Sequence, residues 1–136
     1  MSQAQYLTLR RNLRLDKIAI LADIHGNLPA LEQVVADIRT RQVDAVWNLG
    51  DHVSGPLWPK ETIQFLLRQD WVHISGNHDR LTSTLPPELL GLSDRYAVQQ
   101  LDTIELDWLR ALPAQAEIQD HFRSFMEPHQ RTQATF

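Results

Sequence analysis

A chain of 136 residues and 15.7 kDa, 43% hydrophobic and 22% charged, is long enough to bury one core and is neither disordered nor fibrous. Its formal charge of −4, sequence pI near 5.8 and lack of any basic run denser than Arg10-Arg11 to Arg14 leave no surface for binding by counterion release, so no stable nucleic-acid partner is expected. The absence of cysteine excludes disulfides, thiolate zinc sites and a thiol nucleophile, so a metal would have to be held by His, Asp and Asn.

The opening segment MSQAQYLTLRRNLRLD, residues 1–16, has charges where a signal peptide needs an apolar centre, and it is read as an N-terminal extension. No stretch approaches the roughly eighteen apolar residues of a membrane span. A cytoplasmic protein with no membrane association is expected. From Lys17 to Ile24, KIAILADI is a short apolar run of the kind that forms a buried strand in a parallel sheet. Asn27 is placed to cap the helix that follows, Pro29 suits its first turn, and Leu31, Val34, Val35 and Ile38 recur at helical spacing. DAVWNLGD (44–51) predicts a second strand, Pro59 opens a second helix with an apolar face of Ile63, Leu66 and Leu67, and WVHIS (71–75) predicts a third strand. Pro-punctuated helix then runs to Trp108, Leu109 and Leu112, and Pro113 stops it. No internal repeat or linker interrupts the alternation. The expected fold class is α/β with a βαβαβ core, carried by a domain spanning 17–136.

In open parallel sheets, ligands sit at the carboxyl ends of the strands. Here the three strands run into DIHGN (23–27), GDHVSGP (50–56) and GNHDR (76–80). Each motif alone has an ordinary structural explanation: a helix-capping Asp beside a surface His, a strand-ending turn, a tight Asx turn. Together, at three successive strand ends, they point to a metal site. Asp23 and His25, two apart on a chain taken as extended, are expected to project from one face, with Asp51 and Asn77 reaching the same crevice from the neighbouring strands. Two carboxylates, an imidazole and an amide oxygen suit a divalent cation such as Mn²⁺, Fe²⁺ or Zn²⁺. His52 and His73 are read as structural.

The series D-x-H, G-D and G-N-H-D, at intervals of about 25 residues, resembles the calcineurin-like metallophosphoesterase superfamily. GDHVSGP followed by GNHDR is more similar to the small bacterial and archaeal phosphodiesterase group than to the Ser/Thr protein phosphatases, which carry Asp-Arg-Gly where this chain has Ser54-Gly55-Pro56 and Glu where it has Asp79. The resemblance covers residues 17 to about 118 and makes the βαβαβ core the first half of that family's αββα sandwich. It implies that Asp23 and His25 bind a first metal, Asp51 bridges two metals, Asn77 binds the second, and His78 contacts the scissile phosphate as a donor, oriented by Asp79. It also implies divalent cofactors, Mn²⁺ first, with Fe²⁺, Zn²⁺ or Ni²⁺ as the others, and a small phosphoester substrate hydrolysed by a metal-activated water.

The chain departs from the family after residue 118. A further strand ending in His-Gly and a later Gly-His-x-His, which supply three more metal ligands in the family, have no counterpart, since His121 and His129 sit in neither pattern. Residues 120–136 form an atypical tail. Read one frame over, from the C of a TTC codon for Phe125, its codons begin His-Gly: any Met126-Glu127 junction forces the glycine, and one of two Phe codons supplies the histidine. The tail is therefore expected to be an out-of-frame end to a longer ancestral sequence, which the gene's nucleotide sequence decides. A domain incomplete in this way is expected to be an impaired phosphoesterase that self-associates through an uncovered sheet face. The alternatives are a non-catalytic remnant that binds a metal or phosphate, and Ser/Thr protein phosphatase-like activity.

Overall fold

The computed structural model describes residues 16–116 and the backbone of 134–135. Most of the N-terminal extension and of the atypical tail, including His121 and His129, lies outside the described residues. Three strands, β1 (Ile18–Leu21), β2 (Ala45–Asn48) and β3 (Val72–His73), form an all-parallel sheet in the order β1-β2-β3. Ile18 pairs with Ala45, Ile20 with Trp47, and Trp47 with Val72. The strands are shorter than the apolar runs that announced them. β1 ends at Leu21, so Asp23 and Ile24 belong to the following loop, and β3 keeps only two residues of WVHIS.

Helix α1 (Leu28–Thr40) begins as its sequence requires: the Asn27 side chain accepts from the Ala30 amide at 3.2 Å, with Pro29 in the first turn. Leu31, Val35 and Ile38 are buried, whereas Val34, expected on the same stripe, is 42% exposed. In α2 (Pro59–Leu67), Ile63 and Leu66 are fully buried and Leu67 turns outward. Here a narrower stripe is covered than the apolar spacing allows, since a helix lying on one neighbouring layer hides only one side of itself. The Pro-punctuated segment resolves into α3 (Asn77–Thr84), a 3₁₀ turn (Pro87–Leu89), α4 (Leu92–Gln100) and α5 (Thr103–Ala111). A short β4 (Gln115–Ala116) pairs antiparallel with β5 (Ala134–Thr135).

Two apolar clusters hold these parts. Ile24, Leu31, Val35 and Leu66 join α1 to α2, with Phe65, Trp71 and Trp108 packed around them. Val53, Ile63, Ala97, Leu101, Leu109 and Leu112 join α2 to α4 and α5. Burial of these side chains at about 25 cal/mol per Å² anchors the helices. The loops after β1, β2 and β3 are thereby brought together at one end of the sheet.

Candidate metal centre

The loop after β1 lies against the loop after β2 through three backbone bonds: Asp23 N to Gly50 O at 3.1 Å, His25 N to Asp51 O at 2.9 Å, and Gly26 N to His52 O at 3.1 Å. Asp23 (φ 56), His25 (φ 48) and Asp51 (φ 56) all adopt the left-handed conformation. The expectation that Asp23 and His25 converge by strand alternation is therefore corrected. The chain there is coiled, and both side chains reach the crevice because left-handed residues flank Ile24, whose side chain is buried below. Such backbone costs roughly 1–3 kcal/mol per non-glycine residue and persists only where surrounding bonds over-determine it, a pattern concentrated at functional sites.

Close packing of glycines draws the three loops together. A Cβ on Gly55 would lie 1.9 Å from His25 O, one on Gly50 2.4 Å from Gly76 N, and one on Gly76 2.2 Å from Asp51 Oδ1. Only hydrogen fits at these places.

One ligand atom from each of Asp23, His25 and Asp51 falls within 4.8 Å of the others. His25 Nε2 is 3.6 Å from Asp23 Oδ1. His25 Nδ1 donates to the Ser54 carbonyl at 2.6 Å, which leaves the Nε2 lone pair for a cation. Asp51, 8% exposed, accepts at Oδ1 from the His78 amide at 2.9 Å in the first turn of α3, where the helix dipole favours an anion. The donor set fits a divalent metal: two carboxylates, and an imidazole in the ligating tautomer. Asn77 occupies the first position of α3, exposed, immediately after Gly76, which packs on Asp51.

Asp79 does not face the His78 ring. Its carboxylate is fully buried and accepts from the amides of Asp51 (2.8 Å), His52 (2.9 Å) and Gly76 (2.9 Å) and from His52 Nδ1 (2.7 Å). Burial alone would raise its pKa. The His52 hydrogen bond and charge, with the His52 and Gly76 amides, override this and hold it at about 2. The expected Asp79–His78 pairing is thus corrected: as the third residue of α3, Asp79 turns back toward the helix start, where the buried amides await an acceptor. It clamps the loop after β2 to that after β3.

The carboxylate beside His78 is Asp94, from the first turn of α4, with Oδ1 2.9 Å from His78 Nδ1. That hydrogen bond, more than the charges of Asp94, Asp51 and Asp79, raises the His78 pKa above its ordinary value against the opposing effect of burial. Ser54 Oγ donates to Asp94 Oδ1 in a short hydrogen bond and lies 3.3 Å from His78 Nδ1. The rings of His25 and His78 meet edge to face with centroids 5.5 Å apart. Neither Ser54 nor Asp94 was identified as a site residue from the sequence. Ser54 stood out only as a departure from the phosphatase pattern, and nothing local marks Asp94, on a separate helix.

His52 and His73 are structural, as expected. His52 is fully buried, its Nε2 3.2 Å from His73 Nδ1, and both rings pack against Trp108.

These features make a candidate metal centre: a parallel α/β core whose strand-end loops bring two Asp and one His together, with a second His alongside. The sequence profile of the calcineurin-like phosphoesterases matches residues 16–133, past the point where the motif resemblance ends, and the chain belongs to that family. A solved metallophosphoesterase from Sphaerobacter thermophilus is similar over 76% of this chain and 44% of its own, at 29% identity and a TM-score of 0.61. A protein provisionally named a diadenosine tetraphosphatase matches over 79% of this chain and 47% of its own, at 28% identity and a TM-score of 0.64. A hypothetical protein from Pyrococcus horikoshii shares the fold, covering 74% of this chain and 49% of its own at 22% identity and a TM-score of 0.65. An uncharacterized protein of Methanocaldococcus jannaschii is 37% identical over 62 residues, 46% of this chain and 26% of that protein. The chain thus spans less than half the length of each of these relatives. No helix among the described residues is long and apolar enough to cross a membrane.

Proposed function

We propose that this chain is a metal-dependent phosphoesterase that hydrolyses a phosphodiester or phosphomonoester. The observation that carries this reading is the convergence of Asp23, His25 and Asp51 within 4.8 Å, with His25 Nδ1 bonded to the Ser54 carbonyl. These three residues would hold one cation, and Asp51 together with the Asn77 amide oxygen would offer a partial second site. A divalent metal bound there, Mn²⁺ by preference, would supply a water of lowered pKa and polarisation of the phosphoryl oxygens. His78 supplies a proton from its ring to a phosphoryl or leaving-group oxygen. Asp79 acts through the backbone, holding Asp51 and the start of α3 in register.

The relative provisionally named a diadenosine tetraphosphatase suggests including a dinucleoside polyphosphate among trial substrates. A second reading, a one-metal binder with little or no turnover, draws support from a specific observation: among the described residues, one His/Asp/Glu cluster of ligand geometry exists. Elemental analysis of the purified protein, alongside hydrolysis of bis(p-nitrophenyl) phosphate with added Mn²⁺, separates the two. Metal with turnover supports the phosphoesterase, metal without turnover the binder, and neither metal nor turnover refutes both.

A further inference from the structure

Ser54 touches both histidines of the site. Its carbonyl accepts from His25 Nδ1 at 2.6 Å, and its hydroxyl donates to Asp94 Oδ1 and lies 3.3 Å from His78 Nδ1. Asp94 Oδ1 in turn stands 2.9 Å from His78 Nδ1. Ser54 is 4% and Asp94 7% exposed, so this arrangement lies beneath the surface, while the His78 side chain above it is 38% exposed. The two partners come from separate elements, Ser54 from the loop after β2 and Asp94 from the first turn of α4.

We infer that Asp94, held in place by Ser54, is the positioning residue for His78. It keeps the Nδ1 hydrogen on the Asp94 side, so the proton that the charged ring gives to the phosphoester leaves from Nε2, on the opposite edge, and the neutral ring is the Nδ1–H tautomer. An isolated neutral histidine favours the Nε2–H tautomer, and a carboxylate accepting at Nδ1 reverses that preference. The Ser54 hydroxyl matters because Oδ1 serves two donors. By fixing the carboxylate's rotation it holds the acceptor where the ring needs it. The same residue's carbonyl sets the tautomer of His25, so one short loop orients both rings, whose centroids are 5.5 Å apart. The usefulness of this arrangement to catalysis rests on the proposed role of His78, but the tautomer itself does not.

The decisive measurement is therefore spectroscopic. In metal-free, ¹⁵N-labelled protein, at a pH where the ring is neutral, long-range ¹H–¹⁵N correlation should report His78 protonated at Nδ1. Asp94→Ala should move it to Nε2–H, whereas Ser54→Ala, which keeps the carboxylate, should retain Nδ1–H. If Asp94→Ala does not fold, Asp94→Asn provides the test, since an uncharged amide oxygen accepts less strongly and should shift the population in the same direction. A wild-type ring already protonated at Nε2, or one whose tautomer ignores both Asp94 variants, overturns the inference. With Mn²⁺, Asp94→Asn should lower kcat on bis(p-nitrophenyl) phosphate by about 10- to 100-fold at unchanged metal content and KM. Wild-type protein that turns nothing over while showing the Nδ1–H tautomer would instead count against the phosphoesterase reading alone.

Discussion

Asp51 performs three tasks at once: it holds a left-handed turn, donates its amide to Asp79, and accepts the His78 amide on its carboxylate. Asp51→Asn keeps the volume and most of these bonds while removing the negative charge from beside the cation. We expect it to abolish hydrolysis with the far-ultraviolet circular dichroism unchanged, and wild-type turnover in this variant would remove the proposed mechanism. His78 is different, because its Nδ1 lies 2.9 Å from Asp94 Oδ1 and it is not one of the three residues whose ligand atoms converge. His78→Ala should cost roughly 10²- to 10⁴-fold in rate with metal stoichiometry constant. Loss of metal in that variant would mean that the roles of Asn77 and His78 have been wrongly divided. Asp79→Asn should act on stability. An amide oxygen can replace only part of an acceptor that now serves three backbone N–H groups and a ring, and the buried donors left over should cost about 2–4 kcal/mol in urea unfolding.

At the level of elements, β3 carries an unusual burden for a two-residue strand. His73 is 5% exposed, and its Nε2 has no hydrogen-bond partner among the described residues. Burial first, and then the neighbouring His52, push its pKa down from 6.5 to about 3, against a smaller opposing pull from Asp79. A histidine kept neutral in the fold takes up a proton on unfolding once the pH falls below 6.5. The stability it permits is therefore complete above that pH and declines toward pH 3, by at most about 1.4 kcal/mol per pH unit. Asp79, with its pKa at about 2, adds a loss that begins below the ordinary carboxylate value near 3.8. Urea midpoints measured from pH 7.5 to 5 should fall steeply in wild type and less in His73→Leu, whereas parallel slopes would show that His73 is not the source. Gly55 ties the loop after β2 to that after β1, and Gly55→Ala, which sets a methyl against His25 O, should weaken metal binding measured by calorimetry.

For the molecule as a whole, the sheet has two unequal faces. His73 and its partners meet Trp108 of α5 on one side. On the other, Ile20, Trp47 and Val72 are neighbours in register across all three strands, with Ile20 63% exposed and the other two partly so. A row of large apolar side chains across a sheet favours burial against a second surface. Self-association through this face remains our proposal. The protein should elute on size-exclusion chromatography above 15.7 kDa, and Ile20→Lys should return it toward that mass. A clean monomer in wild type would dispose of the idea.

The alternation of apolar runs with capped, Pro-initiated helices was readable as a parallel α/β core because strand and helix periods and helix starts are local properties. Asn27 and Pro29 did what their chemistry predicts. The D-x-H, G-D and G-N-H-D motifs named the residues that meet, since each lies where a strand hands over to a helix. Their manner of meeting was not readable. Left-handed backbone at Asp23, His25 and Asp51 is stabilised by bonds between loops distant in sequence, and a pattern read along one strand contains no information about them. For the same reason Asp79 was assigned to its sequence neighbour His78, when the buried amides of Asp51 and Gly76 make a stronger claim on its charge than an adjacent ring pointing elsewhere. Asp94 reached His78 because α4 is anchored in the core by Ala97 and, just past its end, Leu101, so a carboxylate's choice of partner was decided by where apolar burial carried its helix.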